Sequence, residues 1–565
     1  MNNPEKIVIY QVLPRLFGND NSTNEINGSI EKNGCGKFSA FSNIALKEIR
    51  KMGFTHIWYT GVIEHATQTD YSAYGILKDH PEVVKGNAGS PYAIKDYYDV
   101  DPDLADDVKQ RMNEFEVLIK RIHTANLKMI MDFVPNHVAR QYYSDVKPDK
   151  VKNLGENDNI HTTFDANNNF YYIPGQAFSP DFDLHLPGPK YKEYPAKATG
   201  NDKFDAHPGI NDWYETVKLN YGIDYLSGEQ KYFNPIPDTW HKMLDILLFW
   251  GSKNIDGFRC DMAEMVPVEF WGWAIPKVKE KYPEIIFIAE VYNPFEYENY
   301  RWNGEFDYFY DKVGLYDTLR AIIRGEKPAS SVTGCWQAVE GMQYQMLNFL
   351  ENHDEQRISS DFFAKNPWKA IPAMIISATM NTNPVMVYCG QELGEPGMDK
   401  EGFSGLDGRT TIFDYWSVDS IRKWRNKGKY DGKELTKEQK SLREFYAKLL
   451  NLCNAEKAIR EGSFYDLMYV NYENPAFNSD KQYVYLRKAG NEILLIVVNF
   501  DDKDVETSIN IPAGVFEFLQ VSPEKIREGV DLLTKEKSGS LLRPYNLFRT
   551  GLKANGGRIF KFIIE

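Results

Sequence analysis

Four acidic residues stand where apolar runs give way to polar segments: Asp132 in DFVPNH, Asp261 in DGFRCDMAE, Glu290 in IIFIAEVY and Asp354 in FLENHDEQR. Carboxyl groups gathered at one place can divide acid and nucleophile work between them. Cleavage of a glycosidic bond needs both, one group protonating the leaving oxygen while another attacks or stabilises the cationic carbon. Crowding also raises the pKa of one acid, which then keeps its proton near neutral pH. Arg259 precedes Asp261 by two residues. On a strand that spacing turns both side chains to one face, where the guanidinium favours an ionised Asp261. Any one of these acids alone reads as a structural ion pair or a helix cap. Four of them at successive strand ends, with His137, Arg259 and His353 beside them, read as a site.

The elements that must carry them follow from the apolar pattern. Ile7–Leu13, Thr55–Thr60, Leu127–Val134, Ile255–Arg259, Ile285–Ala289, Met346–Leu350 and Val385–Tyr388 are short, nearly continuous apolar runs, as expected of parallel strands buried on both faces. Between many of them apolar residues recur at helical spacing: Phe41, Ile44, Ala45 and Ile49; Met112, Phe115, Leu118, Ile119 and Ile122; and the stretch Trp240–Phe249. Strand–helix units repeated to about residue 455 predict an α/β fold, a (β/α)8 TIM barrel, whose strand C-termini converge on one mouth. The barrel is expected over residues 1–138 and 236–455. Residues 139–235, rich in Asn, Asp, Gly, Pro and Tyr, are too long for a structureless loop and predict a domain inserted after the third strand. From residue 456 strands follow one another without helices, which predicts a C-terminal antiparallel β-sandwich over 456–565.

Composition narrows the partners. The net charge of −14 repels phosphate backbones, which argues against nucleic acid. Five scattered cysteines with no Cys/His ligand spacing support neither zinc nor a disulfide framework, and the chain reads as cytoplasmic. No apolar signal core and no run of 18 apolar residues appear, so no membrane association is expected. Nothing in the chain sets an oligomeric state.

The motifs resemble those of the α-amylase family of glycoside hydrolases. DFVPNH at 132–137, GFRCD at 257–261, FIAEV at 287–291 and FLENHD at 349–354 are similar to its first to fourth motifs, in order. TVKLN at 216–220 is similar to its additional motif near the end of the inserted domain, and GQELG at 390–394 to its eighth-strand turn.

The resemblance implies a retaining glycosidase acting on α-1,4-linked glucans or maltooligosaccharides through a covalent glycosyl-enzyme intermediate. Asp261 is then the nucleophile, Glu290 the general acid and base, and Asp354 the group that binds and distorts the cleaved sugar. Arg259, His137 and His353 match positioning and sugar-binding residues, and Tyr92, in SPYAIKDYYDV, falls where a tyrosine stacks beneath the sugar. Asn136 matches a position that binds calcium in many members, so calcium is the one metal the resemblance allows; no cofactor is required. Where typical α-amylases carry Lys-His after the nucleophile this chain has Glu264 and Met265, and the Lys-Leu-Asn ending of TVKLN resembles neopullulanase-like subgroups. A glycosyltransferase of the same family shares every catalytic residue and stays open as the alternative. A non-catalytic carbohydrate-binding relative is the remote one.

Overall fold

The computed structural model describes residues 5–565. Eight parallel strands form the central sheet: β1 (Val8–Val12), β2 (His56–Tyr59), β3 (Lys128–Phe133), β4 (Gly257–Cys260), β5 (Ile286–Ala289), β6 (Tyr308–Tyr310), β7 (Met346–Leu347) and β8 (Val385–Tyr388). Their order is β7-β6-β5-β4-β3-β2-β1-β8, and a parallel bridge between Asn348 and Val385 closes the ring. The expected α/β barrel is therefore the observed one. Seven strands match the apolar runs. The eighth, β6, went unrecognised because it is three residues long, flanked by Asp307 and Asp311.

Helices cover the outside as the apolar stripes require. Asn43–Lys51 buries Ala45, Leu46 and Ile49, but Ile44, counted in the stripe, faces solvent at 53% exposure. Arg111–Thr124 buries Phe115, Leu118, Ile119 and Ile122, and Asp238–Ser252 buries Trp240, Met243 and Leu247 among others. Inside the barrel, Ile9, Trp58, Ile130, Ile288, Tyr310, Leu347 and Met386 pack as one cluster. These come from every strand except β4. There the residue level with Ile288 is Arg259, fully buried, so a cation stands where the other strands place apolar side chains.

Between β3 and β4 the chain forms short antiparallel pairs: His137–Ala139 with Thr216–Lys218, Tyr172–Ile173 with Ala196–Lys197, and Ile223–Asp224 with Gln230–Lys231. After the long helix Lys437–Ala455 a five-stranded antiparallel sheet (Ser463–Asp466, Gln482–Ala489, Glu492–Asn499, Gly556–Ile563, Val530–Asp531) lies beside the pair Val505–Asn510 and Leu547–Leu552. The buried Arg487 fastens this sheet to the barrel by donating to the Met380 carbonyl at 2.7 Å. All five cysteines are free. Among the described residues no helix is long and apolar enough to cross a membrane.

Candidate active site

Asp132 is the penultimate residue of β3, and Asp261 and Glu290 follow β4 and β5 directly. Arg259 rises from the barrel interior between them. Its Nη1 lies 3.1 Å from Asp132 Oδ1 and 2.8 Å from Asp261 Oδ1, and its Nη2 lies 2.8 Å from Glu290 Oε1. One guanidinium thus holds three carboxylates that are 129 and 29 positions apart along the chain. Rings of Trp58, Tyr92 and Tyr310 surround it at 5.2, 5.5 and 5.4 Å, and Tyr310 Oη accepts from its Nε at 3.1 Å. Cations favour aromatic faces, most of all where water is excluded.

Each acid has further partners. Trp58 Nε1 donates to Asp132 Oδ2 at 3.1 Å. Tyr292 Oη donates to Glu290 Oε1 at 2.6 Å, and the Met262 amide donates to Glu290 Oε2 at 2.7 Å. Met262 adopts a left-handed backbone (φ 42°), a conformation that costs a non-glycine residue about 1–3 kcal/mol and is characteristic of functional sites. That turn aims its N–H at Glu290. The segment after β7 brings in His353 and Asp354, whose Nε2 and Oδ2 are 3.0 Å apart. Gln11 from β1 contacts His353 Nδ1 at 2.7 Å, and Tyr92 Oη reaches its Nε2 at 2.5 Å with the two rings stacked.

The electrostatics follow from burial. Asp261 is held well above the usual carboxylate range, by desolvation first and then by Glu290, Asp132 and Asp354; Arg259 opposes this without cancelling it. The expectation that Arg259 faces Asp261 holds in the geometry, but one cation among several carboxylates does not lower the pKa of Asp261. Burial also lifts Asp132 to about 7. It holds His353 and His137 near 3, aided by Arg259 and Lys218 respectively, so both imidazoles are neutral.

A cavity of about 270 Å³ opens over this cluster. Asp261, Glu290, Asp354, Tyr92, His137 and His353 all line it, so the structure brings these six sequence-derived residues to one place, with Arg259 beneath them. Its volume lies near the lower end of the roughly 300–1,000 Å³ of small-molecule sites. Tyr292, Lys85, Trp213 and Phe413 also line it and escaped sequence reasoning. Tyr292 had a signal, since it follows Glu290 by two residues. The others arrive on loops, where no periodicity marks direction.

Both ends of the Asn136 amide are already engaged. Its Oδ1 takes the buried Lys218 ammonium at 2.5 Å and its Nδ2 donates to the Gly200 carbonyl at 2.8 Å. Lys218 also pairs with Asp202 at 2.6 Å. The register that sets His137 opposite Lys218 carries the lysine of TVKLN to this point. The Lys218 ammonium occupies the one side-chain oxygen that Asn136 could offer a calcium ion, so these residues do not fit calcium. Glu264, where the resemblance leads one to expect a lysine, is engaged too: its oxygens accept from the Tyr292 and Asn293 amides at 3.1 and 3.0 Å.

A closed parallel barrel with carboxylates gathered at the C-terminal ends of its strands is the architecture of a TIM-barrel enzyme. The family model of the α-amylase catalytic domain matches residues 11–463. The chain belongs to the α-amylase family and is a glycoside hydrolase of the amylase type. Among its relatives, alpha-amylase 2 of Dictyoglomus thermophilum is 21% identical over 519 residues, which cover 90% of this chain and 71% of that protein. A cyclomaltodextrinase of a Bacillus species is 22% identical over 501 residues, covering 87% and 72%. The crystal structure of the maltogenic α-amylase AmyB from Thermotoga neapolitana shares the fold, with a TM-score of 0.63, 19% identity and 99% of each chain covered.

Proposed function

We propose that the protein is a retaining glycosidase that hydrolyses α-1,4-glucosidic bonds of maltooligosaccharides or longer α-glucans. The observation that carries this reading is the single Arg259 guanidinium touching both Asp261 and Glu290 on the floor of the cavity that Asp354 also lines. Contact with one guanidinium keeps the two carboxyl groups close, which supports the roughly 5–5.5 Å pair of a retaining enzyme. The names of the relatives, α-amylase and cyclomaltodextrinase, support the substrate class.

In the first step Glu290 gives its proton to the glycosidic oxygen. The C1–O bond breaks and a carboxylate oxygen of Asp261 bonds to C1. In the second, Glu290 takes a proton from water as the hydroxyl oxygen attacks C1 and Asp261 leaves as carboxylate. The shared guanidinium couples the carboxyl groups, so a proton leaving one is felt by the others. Neutral His137 and His353, with Asp354, offer hydrogen bonds to sugar hydroxyls, and the Tyr92 face offers an apolar contact for the ring.

A sugar hydroxyl in place of water makes the same machinery a transglycosylase. A 92-residue match at 36% identity to a maltosyltransferase of Cereibacter sphaeroides, covering 15% of this chain, favours keeping this second reading. The test is NMR of the first products from maltoheptaose and starch, together with the products from maltotriose. Initial α-anomers support retention, and β-anomers reject it. Products longer than maltotriose at high substrate assign the transferase, and their absence rejects it.

The pH dependence has a defined sign. Because Asp261 titrates above the ordinary range, its ionised form is lost as pH falls through that raised value. The acid limb of kcat/KM, which reports the free enzyme, is expected above the ordinary carboxylate pKa of about 4. An acid limb at or below that value contradicts the burial argument.

A further inference from the structure

A second group of acids lies outside the cavity, on the hairpin that follows β2. Glu64, in Ile63–His65, pairs in register with Asp96 of Ile94–Val100, and the register slips on either side of Glu64. Like charges directly opposite on antiparallel strands are destabilising. One carboxylate oxygen from each of Glu64, Asp99 and Asp145 lies within 4.8 Å of the other two. Glu64 is 1% exposed, and neither of its carboxylate oxygens accepts a hydrogen bond from the protein. A buried carboxylate left without a donor is costly, and native proteins pair such groups with hydrogen bonds, ions or metals.

The neighbouring groups are already committed. Asp96 accepts from the Tyr98 and Asp145 amides at 2.8 and 3.0 Å. Asp99 accepts from the Val100 amide at 2.8 Å and from Arg111 Nε at 2.6 Å. Arg111 Nη2 stands 3.6 Å from Asp145. Lys95, the next cation, is paired with Asp79 at 2.9 Å. Arg111 therefore contacts Asp99 and Asp145, and none of its hydrogen bonds reaches Glu64.

We propose that Glu64, Asp99 and Asp145 bind a calcium ion that braces the β2 hairpin against the start of the inserted segment. Calcium–oxygen distances are about 2.3–2.6 Å, so two ligands of one ion can stand up to about 5.2 Å apart, and the observed separations fall within that reach. An all-oxygen set with irregular geometry suits calcium better than magnesium, which demands a near-ideal octahedron. Burial, with Asp96 and Asp99 beside it, holds the Glu64 carboxyl well above its ordinary range; a bound dication reverses that and ionises it. The ion ties the strand continuing from Tyr92 to the chain that follows His137, so it stiffens two walls of the cavity. None of its ligands belongs to the Asn136–Lys218 pair.

The test is equilibrium dialysis of chelator-stripped full-length protein against calcium, with metal content and thermal unfolding measured together. Wild type is expected to bind one calcium per chain and gain thermal stability. Glu64→Gln and Asp145→Asn are each expected to weaken binding at least tenfold and to lose that gain. In chelator Glu64→Gln is expected to be about as stable as wild type, because the amide has nearly the shape of a carboxyl group that burial already keeps uncharged without the ion. Asp145 is partly exposed, so its variant keeps the test open if Glu64→Gln does not fold. No calcium bound by wild type at millimolar concentration overturns the proposal, as does wild-type affinity in Asp145→Asn.

Discussion

Asp261→Asn is expected to lower kcat on maltoheptaose by at least about 10⁴-fold, roughly 5 kcal/mol of lost transition-state stabilisation. The amide cannot supply the electron pair that bonds to C1, so the covalent route closes. The fold is expected to survive, because Asn has nearly the shape of Asp and Arg259 keeps Asp132 and Glu290 as partners at 3.1 and 2.8 Å. The measurement is turnover with a folding control by circular dichroism. A folded variant retaining a tenth of wild-type activity excludes Asp261 as the nucleophile.

Glu290→Gln is expected to cost about 10²–10⁴-fold on maltoheptaose, the range of a positioned general acid. The loss depends on the leaving group. An α-maltosyl fluoride departs without protonation, so formation of the intermediate from it is expected to suffer far less than attack on a natural glucan. The side-chain carbonyl of Gln still accepts one of the two hydrogen bonds from Tyr292 and Met262 that hold Glu290, so orientation is largely kept. Comparing the two substrates in single-turnover experiments separates the roles. Equal losses on both assign Glu290 to positioning, whereas a loss confined to the glucan assigns it to proton transfer.

The sequence is legible wherever local periodicity carries the information. Runs such as LKMIMDFV are apolar because both faces of a barrel strand are buried, and the observed β3 lies within that run. The failures have equally local causes. The three residues of β6 are too few to show a period, and only pairing with β5 and β7 makes them a strand. Ile44 sits at the edge of an apolar stripe whose neighbours Ala45 and Ile49 take the buried face.

The amino-acid order alone determined the barrel, the inserted and C-terminal segments as expectations, and the strand ends that carry Asp132, Asp261, Glu290 and Asp354. It could do so because strand and helix periods, and the position of a charge at the end of an apolar run, are properties of neighbouring residues. Only the tertiary structure decided that Arg259 bridges three of those acids and that the Met262 amide holds Glu290. It also decided that Lys218 takes the oxygen of Asn136, and that Glu64 meets Asp99 and Asp145 without a donor. These are distances between residues remote in the chain. Ring closure of the barrel and the strand register set them, and the burial they create, more than the sign of any single neighbour, sets the protonation of the site.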